Sequence, residues 1–62
     1  MKTHTNPDGS TIQVPDSAII GVDASIGVEA DIGRYVSIGD DAIIGDGARI
    51  GNGAIIGDGA SI

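Results

Sequence analysis

Large aliphatic residues recur every six positions along most of this chain, at Val14, Ile20, Ile26, Ile32, Ile38, Ile44, Ile50, Ile56 and Ile62. Two residues before each stands a second apolar residue, usually small: Ile12, Ala18, Ala24, Ala30, Val36, Ala42, Ala48, Ala54 and Ala60. An amphipathic helix repeats its apolar stripe every three to four residues, so a spacing of six excludes it. Two apolar residues at i−2 and i share one face of an extended strand, and each hexad therefore predicts a short strand. Glycine follows the large aliphatic residue at 21, 27, 33, 39, 45, 51 and 57, with Pro15 in its place in the first hexad. Such a glycine offers either a positive φ or room for a corner. A chain that bends at every hexad closes a triangle after eighteen residues.

Residues eighteen apart then stack, which predicts three inward columns: Val14, Ile32 and Ile50; Ile20, Ile38 and Ile56; Ile26, Ile44 and Ile62. Alanine at the second inward position suits a narrow, closely packed interior. The pattern x-small-x-[Ile/Val]-Gly-x, running from Thr11 to Ile62, resembles the hexapeptide repeat of left-handed parallel β-helix proteins, which include many acyltransferases. The resemblance implies an all-β fold, a single-stranded left-handed parallel β-helix forming a triangular solenoid of about three coils of 18 residues. Left-handedness follows from the resemblance alone, because parallel strand connections in general prefer the right hand.

The two ends differ. Residues 1–10, MKTHTNPDGS, break the pattern: NPDG is a turn signal, and Asp8 stands where the repeat would place an aliphatic residue. They are expected to form a leader that caps the β-helix of residues 11–62. At the other end the repeat stops in mid-hexad at Ile62, which predicts a bare strand edge there, a place for another copy to stack or for a longer solenoid to continue.

The residue before each large aliphatic should face outward, and these positions hold Gln13, Ile19, Ser25, Asp31, Ser37, Ile43, Arg49, Ile55 and Ser61. Ile19 and Ile55 fall on one side with Ser37 between them and Tyr35 nearby, a face that could bury itself against a neighbour. Asp16 with Arg34, and Asp31 with Arg49, are expected to form surface pairs worth under ~1 kcal/mol each.

Composition narrows the function. Sixty-two residues without cysteine have neither a disulfide nor a thiolate metal site to staple a small core, so a lone copy is expected to be marginal. A net charge of −6 would be repelled by nucleic acid and by an anionic membrane. The polar start does not read as a signal peptide and no apolar run approaches a bilayer span, so the expected location is the cytoplasm.

The resemblance also supplies a chemical test. Hexapeptide acyltransferases are usually trimers that place acyl-coenzyme A or another acyl carrier between solenoids and use a histidine as general base. Here the single histidine, His4, lies in the leader, and no hexad is interrupted by a protruding loop. His4 is expected to be a solvated tail residue. A γ-type carbonic anhydrase would need three histidines. The triplets around Asp46, Asn52 and Asp58 resemble calcium-binding β-rolls, but a period of six sends them to three different corners and assigns them to turns. The glycine-bearing segments lack the lysine and following helix of a phosphate loop, and the few threonines form no repeated ice-binding face. No catalytic, cofactor-binding or metal-binding residue is expected. The predicted role is a structural, self-assembling module whose partner is itself, through the edge near Ile62 (filament) or the face with Ile19, Tyr35 and Ile55 (trimer). The alternative is a non-catalytic fragment of a hexapeptide acyltransferase.

Overall fold

The structure, a computed structural model, describes all 62 residues and contains no helix. Nine strands follow one another: β1 (Lys2–Thr5), β2 (Thr11–Val14), β3 (Ile19–Ile20), β4 (Ser25–Ile26), β5 (Asp31–Ile32), β6 (Ser37–Ile38), β7 (Ile43–Ile44), β8 (Arg49–Ile50) and β9 (Ile55–Ile56). From β3 onward every strand is the outward residue and the large aliphatic residue of one hexad. They pair in parallel as β3-β6-β9, β4-β7 and β5-β8, each residue meeting the one eighteen positions later, as in Ile20 with Ile38 and Ile38 with Ile56. Ser61 continues the second ladder by bridging to Ile43. Three ladders visited in rotation at a constant offset are what a hexapeptide-repeat β-helix requires.

The corners explain the glycines. Positive φ falls two residues after each repeated glycine, at Asp23, Glu29, Tyr35, Asp41, Gly47, Gly53 and Gly59. Gly21 and its equivalents therefore supply room rather than an unusual φ. A Cβ on Gly21 would collide with the backbone nitrogen and Oδ1 of Asp40, and one on Gly27 with those of Asp46. All of these corners but the one at Gly33 are closed by the alanine N–H donating to the glycine carbonyl, for example Ala30 to Gly27 at 3.3 Å, with the positive φ at the third turn residue. The Pro15 carbonyl accepts the equivalent bond from Ala18 at 3.0 Å, in a turn without a positive φ at Ser17.

Each corner is also tied to the next circuit. The N–H groups of Val22, Val28 and Arg34 donate to the side-chain oxygens of Asp40, Asp46 and Asn52 at 2.8 Å, and Asp40 donates to Asp58 at 2.9 Å. Backbone bonds run beside them, such as Asp41 N–H to the Val22 carbonyl at 2.9 Å. The triplets Gly-Asp-Gly and Gly-Asn-Gly are thus corner braces, and the side chain that braces a corner is the one a β-carbon on the earlier glycine would displace.

Inside lie Val14, Ala18, Ala24, Ile26, Ile32, Val36, Ile38, Ala42, Ile44 and Ile50, all buried. Burial fades toward both ends of the stack: Ile12, Ile20 and Ile56 are half-buried and Ile62 is exposed. The outward isoleucines Ile19, Ile43 and Ile55 are exposed as the alternation predicts.

The first hexad departs from expectation. β2 pairs antiparallel with β1, from Lys2 opposite Val14 to Thr5 opposite Thr11, so the parallel stack begins at Ser17 and makes about two and a half circuits. A turn from Asn6 to Ser10 closes this hairpin locally, at lower entropic cost than an eighteen-residue return. Arg34, at the corner that would have to brace Asp16, has no acceptor in its side chain. Val14 is nevertheless fully buried in the common core.

Candidate functional site

Three regions stand out: the two ends of the stack and the outer isoleucine face. At the amino end the leader does more than cover the first circuit. Inside the stack, Ala42 and Ile44 accept backbone bonds from Ser25 and Gly27 of the preceding circuit at 2.8 and 2.7 Å. The equivalent carbonyls of the first circuit belong to Ala24 and Ile26, which have no circuit before them. His4 Nε2 donates to the Ala24 carbonyl at 2.8 Å, and Asn6 Nδ2 donates to the Ile26 carbonyl at 2.8 Å. The Ile26 N–H donates back to Asn6 Oδ1 at 2.9 Å. Two side chains thereby occupy the hydrogen-bonding positions of an absent strand on the free edge of β4.

Asn6 is buried, and its second amide hydrogen goes to Ser10 Oγ at 3.0 Å. Ser10 in turn donates through its hydroxyl and its backbone N–H to Asp8 Oδ1, at 2.6 and 2.9 Å. Those two bonds hold the Asp8 carboxyl below its usual range. His4 is half-buried and hydrogen-bonded, which corrects its reading as a solvated tail residue. The alternation of Lys2–Thr5 before an NPDG turn is the hairpin signal that points to this arrangement.

At the carboxyl end the edge is bare. Asp31, Gly33, Ser37 and Gly39 donate their N–H groups to the following circuit; their equivalents Arg49, Gly51, Ile55 and Gly57 have no partner within the chain. A Cβ built on Gly51 or Gly57 would meet nothing. Ile62 itself is tied by its backbone to Ile43 and Gly45 while its side chain stays exposed.

On the flank, Ile19, Ser37 and Ile55 stand in register along β3-β6-β9, the one three-stranded parallel ladder. Ile19 is 67% exposed, Ile55 83%, and Tyr35 at the neighbouring corner 74%. Tyr35 keeps its positive φ while donating its N–H to Ser17 Oγ at 3.0 Å. The expected ion pairs do not form. Asp31 and Arg49 face each other in register without a salt bridge, and Asp16 meets the amino-terminal ammonium at 3.2 Å in place of Arg34. Exposed long side chains gain too little from pairing to be held.

No group of histidine, cysteine and carboxylate side chains is arranged to hold a metal, and His4 lines none of the three surface depressions. A family profile described as Bacterial transferase hexapeptide (six repeats) matches residues 29–62, from the corner before β5 to the last residue of the chain. No curated protein and no solved structure matches the chain. With more than half of its residues in that match, and the repeated glycines and isoleucines in register along its ladders, the chain belongs to the bacterial transferase hexapeptide-repeat family.

Proposed function

We propose that this chain is a structural module, a left-handed triangular β-solenoid that associates sideways with further copies of itself as a homotrimer and performs no catalysis of its own. The observation that carries the reading is the pair of highly exposed isoleucines, Ile19 and Ile55, aligned on the three-stranded ladder beside an exposed Tyr35. Burying such a patch is favourable by about 25 cal/mol per Å² of apolar surface. The sideways mode is favoured over stacking because leader side chains already occupy the free edge of β4 at one end of the stack. The commitment of His4 Nε2 to a backbone carbonyl supports a structural role for the only histidine.

Sedimentation equilibrium tests this. The wild-type chain is expected to assemble, and Ile19→Asp with Ile55→Asp to sediment as a monomer with an unchanged β-rich circular dichroism spectrum. A wild-type chain that stays folded and monomeric would refute the proposal. A second reading, favoured by the transferase description of the matched family, makes the chain a non-catalytic part of an acyl-carrier-dependent acyltransferase. It predicts further hexads after Ile62 in the reading frame, interrupted by a loop that bears a histidine.

A further inference from the structure

We propose that the leader and the corners of the first circuit together form a stop that keeps the last circuit of a second copy from docking on the amino end of the stack. Two independent observations converge on this. First, His4 and Asn6 already fill the ladder positions of β4 that an incoming strand would need. Second, the corner braces follow a rule with one break. Where a circuit precedes, the corner residue is Asp40, Asp46, Asn52 or Asp58, and its side chain accepts an N–H from that circuit. The first-circuit corners are Val22, Val28 and Arg34, none of which can accept, while Asp16 at the preceding corner is engaged by the amino-terminal ammonium at 3.2 Å.

The carboxyl edge is complementary to what the amino end withholds. Gly51 and Gly57 keep open the space in which an acceptor side chain sits elsewhere in the stack, as Asp40 does over Gly21. A second copy docked there in ladder geometry would set valine over those glycines and leave the corner N–H groups unbonded. Unpaired strand edges otherwise template their own pairing, and this arrangement occupies the β4 part of that template at the amino end.

The test reverses both parts of the stop in the 62-residue chain. His4→Ala and Asn6→Ala free the β4 edge, while Val22→Asp and Val28→Asp install acceptors. The quadruple variant is expected to form rods, seen by electron microscopy and as a several-fold rise of sedimenting mass with concentration. Adding Gly51→Ala and Gly57→Ala should abolish the rods, because alanine there meets nothing in a single chain but fills the space the neighbour's aspartates need. Should the quadruple variant fail to fold, amide exchange decides: the Ile26 N–H should exchange about tenfold faster in Asn6→Ala than in wild type. Wild-type rods, a folded quadruple variant with wild-type mass, or an Ile26 amide equally open in wild type and Asn6→Ala would each overturn the proposal. The sideways trimer is read separately, since it depends on Ile19 and Ile55 and forms no rods.

Discussion

The two ends of this stack are built from the same hexad and finished differently. At the amino end Ile26 is buried beneath Asn6, its N–H and carbonyl both bonded to a side-chain amide. Toward the carboxyl end Ile56 occupies the same repeat position and is half-buried, as is Ile20 of the first circuit, to which no leader side chain is bonded. A repeat therefore sets where a residue points, whereas its neighbours along the stack axis set how much that placement contributes to stability.

The sharpest way to break the comparison is to truncate both isoleucines. Ile26→Ala should cost about 3 kcal/mol and Ile56→Ala about half of that, since the second site already meets solvent and loses less packing. Urea denaturation measures both, and equal losses would mean that the leader adds nothing to the burial of its end. Next in size is the cap itself. Asn6→Ala removes two bonds to a buried backbone unit and should cost about 2 kcal/mol, whereas Asp46→Ala removes one bond at an exposed corner and should cost about 1 kcal/mol. A larger loss at Asp46 would place the stabilising hydrogen bonds in the corners and not in the leader.

The smallest effect is a pH dependence confined to one end. The Asp8 carboxyl is lowered from its ordinary value of 3.8 by its bonds to Ser10, so its contribution is present above that value and is lost as the pH falls through the lowered one. Because Ser10 also accepts from Asn6, protonating Asp8 loosens the support of the cap. Amide protection at Ser10 and Ile26, taken relative to intrinsic exchange at each pH, should fall as the pH drops below 3.8 in wild type and stay level in Asp8→Asn. An identical acid response at Gly59, whose N–H is bonded to the Asp40 carbonyl toward the carboxyl end, would show that the effect is global.

Much of this was legible before any coordinate. The period of six placed the strands, the outward isoleucines and the inward columns from Ile20 onward, because alternation in a strand leaves no freedom about which side chain faces in. The partner of Thr11–Val14 was not legible in the same way. Alternation is identical for parallel and antiparallel pairing, so TIQV fits the hexad and also fits a hairpin with KTHT. The clue that separates them, Arg34 where a brace would be aspartate or asparagine, becomes readable only once the braces are known. The glycines were narrowed to two roles, and only the positive φ two residues later decides between them. The role of His4 was hidden for a different reason: a side chain that imitates a strand leaves no mark in hydrophobic periodicity.

Four of the five side-chain corner bonds between circuits join an N–H to a carboxylate or amide oxygen eighteen residues later, with Tyr35 to Ser17 the exception, and this gives the stack a direction in time. A chain leaving the ribosome amino end first has its leader and β4 available before most of the stack has been synthesised. Each subsequent eighteen residues then carry the acceptors that the finished portion awaits. Growth by successive addition keeps the parallel pairing at a constant separation of eighteen residues and exposes a single unfinished edge at any moment, so synthesis and folding can advance together.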